Sequence, residues 1–148
     1  MLNIEQLSVS LEGSPILRAL SLTVLAGTTI AVVGRNGAGK TTLLRSIMGL
    51  IAPSSGQMYL DAHNLVLSPA YQRSSLGIGY APEDRVIFPT LSVQENIEFP
   101  CVIQSMSKQV LQERLEYVLE VVPQLKNMLT RSGAALSGGQ GKMVAIYL

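Results

Sequence analysis

The sequence predicts an α/β fold in two parts, and three observations carry that prediction. Thr28–Val33 is a short apolar run bounded by glycines. A glycine-rich stretch, Gly34 to Thr42, follows it and opens into Leu43, Leu44, Ile47 and Met48 at helical spacing. Beyond about residue 90 the alternation gives way to helical periodicity, with Leu111, Leu115, Val118, Leu119 and Val122 on one face.

The elements follow in order. Leu2, Ile4, Leu7, Val9 and Leu11 alternate loosely and read as a strand pair leading into Gly13. Ile16–Val24 is a second β stretch, closed by the turn at Ala26-Gly27. Thr28–Val33 has the unbroken apolar character of a strand buried on both faces of a sheet. Pro53 to Gly56 is a turn, with a strand expected near Gln57–Leu60, a short helix over 69–76 and a further strand over Gly77–Ala81, ended by Pro82. Ser92 followed by Glu95 is a capping box and starts a helix. The helical face through Val122 is stopped by Pro123.

Composition narrows the function classes. At 148 residues, 47% hydrophobic and 14% charged, the chain suits one domain with a real core. A net charge of +1 without any basic run argues against a nucleic-acid partner. One cysteine, Cys101, allows no internal disulfide and reads as a small buried hydrophobe. The first residues carry no secretory signal pattern, and no stretch approaches the roughly 20 apolar residues of a membrane span.

Gly34-Arg35-Asn36-Gly37-Ala38-Gly39-Lys40-Thr41 satisfies every fixed position of G-x-x-x-x-G-K-[ST]. Glycines let successive amides turn inward onto phosphate oxygens, and the helix start near Lys40 adds its own amides and partial positive charge. Lys40 is placed for the β- and γ-phosphates of a nucleotide, and the Thr41 hydroxyl for Mg²⁺, with Thr42 completing the loop. About a hundred residues later, Leu136-Ser137-Gly138-Gly139-Gln140 opens a second apolar helical stretch.

Together these two motifs resemble the phosphate loop and signature of ATP-binding-cassette (ABC) transport subunits, and the resemblance runs over essentially the whole chain. It implies an α/β P-loop NTPase fold of the ABC ATPase type, with an antiparallel β region and a helical subdomain, lacking the C-terminal part of the core. The corresponding division is about 1–90 for the nucleotide core, about 91–136 for the helical subdomain and 137–148 for the signature helix. ATP and Mg²⁺ are the implied cofactors. A second nucleotide-binding subunit, identical or different, and membrane permease subunits are the implied partners, with the chain on the cytoplasmic side of the plasma membrane. In such a pair Ser137 and the amides of Gly138 and Gly139 contact ATP held by the opposite subunit.

Gly79 to Arg85, followed by Phe88 to Asn96, looks like the family's Q-loop region, with Glu83 where most members carry glutamine. That variation is similar to the branched-chain amino-acid importer branch and its urea relatives. Four departures stand out. Leu11 occupies the region where the family usually stacks an aromatic ring on adenine. The family's Asp-Glu strand and switch histidine do not occur in these 148 residues, and His63 lies too early to serve. Without that general base, worth about 3–5 kcal/mol, turnover by this chain alone is expected near background. Gly141-Lys142 and the closing Tyr147-Leu148 depart from the family's usual helix, and the phosphate-loop strand lacks a central neighbour. The leading expectation is an ATP-binding importer subunit. The alternative is a non-catalytic ATP-binding or interaction module from a truncated gene, and a P-loop kinase is poorly served by Leu136–Gln140.

Overall fold

A computed structural model of the chain describes residues 1–82 and 86–146. It divides into two compact units, Met1–Tyr80 and Ala81–Leu148.

The first unit is built on an antiparallel hairpin. Strand β1 (Leu2–Leu11) turns at Glu12-Gly13 into β2 (Ser14–Val24). β3 (Ser55–Leu60) pairs with the other edge of β1, and the short β4 (His63–Asn64) completes a four-stranded sheet in the order β2-β1-β3-β4. The loose alternation of β1 has a structural cause. Ile4, Leu7 and Val9 are all buried, so the inward phase slips by one residue between Ile4 and Leu7. A bulge absorbs the slip at Gln6, whose φ is 50°, and β2 answers with Ala19 at φ 46°. Side chains satisfy the displaced amides: Gln6 N–H donates to Ser21 Oγ at 3.0 Å, and Ala19 N–H to Ser8 Oγ at 3.0 Å. The first 11 residues therefore form one strand, not two.

Helix α1 (Lys40–Ile47) places Leu43 in the core formed by Ile4, Leu7, Val9, Leu17, Met58 and Leu65. Burying such a side chain stabilises by about 1.5–3 kcal/mol. Two expected strands are absent. Thr28–Val33 and Gly77–Ala81 adopt no β structure, and Ile30, Val32 and Val33 of the first are 43%, 42% and 87% exposed. An apolar run becomes a strand only when another backbone accepts and donates along it, and no described segment pairs with 28–33. The helix expected over 69–76 is a single 3₁₀ turn, Ala70–Gln72.

The second unit is helical. α2 (Val93–Ile103), α3 (Lys108–Val121) and α4 (Gly138–Ala145) enclose Val93, Ile97, Leu115, Val118, Leu125, Met128, Leu136 and Val144. The capping box at α2 forms: Glu95 N–H donates to Ser92 Oγ at 3.2 Å, and Ser92 N–H to Glu95 Oε2 at 2.7 Å. Those hydrogen bonds hold the Glu95 carboxyl below the usual carboxylate range. Pro123 starts a 3₁₀ turn after α3, and Cys101 is buried. Among the described residues no helix is long and apolar enough to cross a membrane.

Candidate functional site

The loop from Gly34 to Thr42 is held at its exit by the first unit's core. Gly37 and Gly39 lie at φ 83° and 91°, in the left-handed region that glycine enters without strain. Gly39 also allows a close approach, because a Cβ there would sit 2.7 Å from Leu17 Cδ2 and 3.3 Å from Ile16 Cγ2. Ala38 N–H closes a turn onto the Arg35 carbonyl at 3.1 Å. Lys40 spans the loop, its Nζ donating to the carbonyls of Gly34 at 2.8 Å and Arg35 at 2.9 Å. Gly34, Arg35 and Asn36 are exposed, as is Thr41 in the first turn of α1, while Thr42 is half-buried.

The decisive geometry is the start of α1. Its cap, Gly39, has no side chain, and no side chain caps the helix. The first-turn amides, which no helical carbonyl can reach, thus lack a capping acceptor. A lysine ammonium and a threonine hydroxyl flank them. This donor set fits phosphate oxygens, and Thr41 offers the hydroxyl a divalent cation takes beside them.

Leu136–Gln140 is built differently. Leu136 is buried in the second unit's core, whereas Ser137, Gly138 and Gly139 are exposed. Ser137 caps α4: its Oγ accepts from Gln140 N–H at 3.4 Å, and Ser137 N–H donates to Gln140 Oε1 at 3.0 Å. A hydroxyl that accepts one bond keeps its own proton for a further acceptor. A Cβ on Gly139 would meet nothing within 4 Å, so the motif presents bare backbone outward.

The stretch before this motif is fastened to residues 88–92. Gly133 N–H donates to Leu91 O at 2.8 Å, Ala134 N–H to Pro89 O at 3.1 Å, and Val93 N–H to Arg131 O at 2.9 Å. Buried Asn96 ties the same segment to α2: its Oδ1 accepts from Phe88 N–H at 2.7 Å, and its Nδ2 donates to the carbonyls of Phe88, Leu91 and Ser92. Glu83, the expected nucleotide-sensing position, lies outside the described residues.

A family model described as ABC transporter matches residues 17–148. The chain belongs to the ABC transporter family. It is 37% identical over 116 residues to a probable branched-chain amino acid transport ATP-binding protein of Archaeoglobus fulgidus, a match covering 78% of this chain and 48% of that protein. It is 36% identical over 140 residues to a probable ABC transporter ATP-binding protein of Azorhizobium caulinodans, covering 95% and 50%. The chain thus spans about half the length of these relatives. Others at 32–33% identity are named for 2-aminoethylphosphonate import, spermidine/putrescine import and lipopolysaccharide export. A solved ATP-binding subunit of an ABC transporter superposes with a TM-score of 0.86 at 27% identity, covering 99% of this chain and 60% of that one.

The fold is therefore that of an ABC ATPase cassette over the described residues. Leu11, at the end of β1, is 39% exposed. His63 lies in β4. Three polar side chains that sequence reasoning passed over are buried: Ser46, Arg73 and Asn96. Asn96 stood inside a quoted motif, four residues into the capped helix, and its burial was the missing signal. Neither Arg73 nor Ser46 carries a local pattern that marks it.

Proposed function

We propose that this chain is the ATP-binding part of an ABC importer subunit, taking the triphosphate of ATP on Gly34–Thr42. The uncapped start of α1, with Lys40 Nζ already lying across the loop, supports this reading above all else. On binding, Lys40 exchanges the carbonyls of Gly34 and Arg35 for the β- and γ-phosphate oxygens, and the first-turn amides of α1 gain their missing acceptor. The Thr41 hydroxyl ligates Mg²⁺, which when bound neutralises phosphate charge. Leu11 covers the base by apolar contact.

The exposed Ser137 hydroxyl and the Gly138 and Gly139 amides then address the nucleotide of a second subunit. Membrane permease subunits are the remaining partners, placing the cassette at the inner face of the membrane. The named relatives include importers of several solutes, and the Archaeoglobus protein favours branched-chain amino acids or related small solutes.

Titration of the purified chain with a fluorescent ATP analogue and Mg²⁺, beside Lys40→Ala, tests the reading. Removing one charge-assisted contact is expected to weaken binding by about 10- to 100-fold. Equal affinity in the two proteins, or no binding to the folded chain, would sink the proposal.

A further inference from the structure

The segment that leads into Ser137 is clamped against residues 88–92 from both directions. Ser132 Oγ donates to the Pro89 carbonyl at 2.6 Å, Gly133 N–H to the Leu91 carbonyl at 2.8 Å, and Ala134 N–H to the Pro89 carbonyl at 3.1 Å. In return, Val93 N–H donates to Arg131 O at 2.9 Å and Gln94 N–H to Leu129 O at 3.0 Å. Ser92 and Ser132 pair across the clamp as an isolated antiparallel bridge. Residues 88–92 are themselves held, since the buried Asn96 amide engages Phe88 N–H at 2.7 Å and the Phe88 carbonyl at 3.0 Å.

Gly133 sets how closely the two segments lie. A Cβ there would sit 2.6 Å from the Phe88 carbonyl oxygen and 3.3 Å from Pro89 Cα. Its backbone is outside the left-handed region, so glycine serves here for space alone. Little chain separates this clamp from the exposed motif. Gly133–Ala135 is a 3₁₀ turn closed by Leu136 N–H on the Gly133 carbonyl at 3.3 Å, and the Leu136 side chain is fixed in the core. Ser137 follows directly as the cap of α4. Packed, hydrogen-bonded segments pass a displacement on rather than absorb it, so a shift at Gly133 reaches Ser137.

We infer that Ser132 and Gly133 are positioning residues for the exposed Ser137 hydroxyl and the Gly138 and Gly139 amides, an inference that rests on the proposed function, in which this motif meets ATP held by a second subunit. Neither residue touches the nucleotide. The clamp fixes where the three donors stand, and such donors must lie within roughly 0.5 Å of their productive place. Gly133→Ala forces the segments from 2.6 Å toward the 3.4 Å of ordinary contact, an opening of about 0.8 Å. That takes Gly133 N–H beyond hydrogen-bond length from Leu91 O.

Sedimentation of the whole chain with and without Mg-ATP reads pairing, and titration of dilute protein with a fluorescent ATP analogue reads the chain's own phosphate loop. Both are measured well below the melting temperature of each variant, where a residue that only supports folding leaves pairing at the parent's level. Gly133→Ala is expected to weaken nucleotide-dependent pairing about tenfold and Ser132→Ala about threefold, with analogue affinity unchanged in both. Ser132→Thr keeps the hydroxyl and is expected to pair like the parent. Ser132 is exposed, so Ser132→Ala carries the test even where Gly133→Ala fails to fold. Three results in the variants would overturn the inference while leaving ATP binding by the parent intact: parental pairing in both alanine variants, equal losses in Ser132→Ala and Ser132→Thr, or analogue binding lost together with pairing. A parent that binds the analogue without pairing also overturns it, because no partner then meets the motif. A parent that does not bind the analogue overturns the proposed function itself.

Discussion

Replacing Gly39 by alanine should damage both the fold and the nucleotide site, and the two costs can be separated. The residue sits at φ 91°, where an L side chain is strained by about 1–2 kcal/mol. Its new Cβ would also lie 2.7 Å from Leu17 Cδ2. Leu17 is 6% exposed, so its methyl can move only against neighbours, adding about 1 kcal/mol of rotamer strain. The sum of about 2–3 kcal/mol corresponds to a fall in Tm of about 4–12 °C for a chain of this size. Gly37→Ala supplies the control, because that residue has nearly the same φ, 83°, with nothing within 4 Å of a Cβ. It should lose only the backbone component. Circular dichroism melts of both variants, with ATP-analogue titrations alongside, measure the difference. Equal melting temperatures for the two, or Gly39→Ala melting within a degree of the parent, would refute the claim that this glycine is required by its contact with β2.

Two further substitutions test the second unit. Asn96→Asp keeps the acceptor for Phe88 N–H but turns an oxygen toward the carbonyls of Phe88, Leu91 and Ser92, at a cost of about 3 kcal/mol at pH 8. Burial raises the folded-state pKa of that carboxyl above its unfolded value of about 3.9, so the penalty grows as pH rises through the folded pKa and recedes toward pH 4. Urea unfolding at pH 5 and pH 8 should show a larger deficit at pH 8, and a pH-independent deficit would count against this geometry. Glu95 gives the opposite sign. Its folded pKa is depressed from the ordinary 4.5 by its bonds to Ser92, so its contribution is present above that value and disappears as pH falls through the folded one. Glu95→Ala should flatten the acid limb of the stability curve below pH 4.5 relative to the parent, and parallel acid limbs would show that the cap adds nothing.

What was legible in the sequence was whatever depends on neighbours along the chain. The capping box at Ser92 and Glu95, the helical face ended by Pro123 and the turn after Val24 are local devices, and each forms. Even the uneven spacing of Leu2, Ile4, Leu7 and Val9 contained the bulge, since a phase slip in a two-residue period has few other causes. Thr28–Val33 misled for the opposite reason. Its composition states how it prefers to be surrounded, whereas strand formation depends on which backbone lies alongside. The glycines of the phosphate loop were legible as a motif, but the contact between Gly39 and Leu17 joins positions 22 residues apart and needed coordinates. Arg73 was the least legible, since nothing in Gln72-Arg73-Ser74 sets a buried guanidinium apart from a solvated one.

The two sides of the phosphate loop differ in a way that bears on how fast a ligand arrives and leaves. On one side, α1 holds its donors in a packed, hydrogen-bonded turn anchored by Leu43. On the other, Thr28–Val33 is exposed and pairs with no described strand. Under the proposed function, an incoming triphosphate would meet finished donors on the helical side, so capture would resemble docking onto a rigid body, paced by diffusion and charge. Ordering of the entry run would then follow capture, and the expected residence time depends on that later step. Amide hydrogen exchange with and without nucleotide would register that asymmetry, with fast exchange before Gly34, slow exchange after Leu43, and ligand protection spreading from the second toward the first.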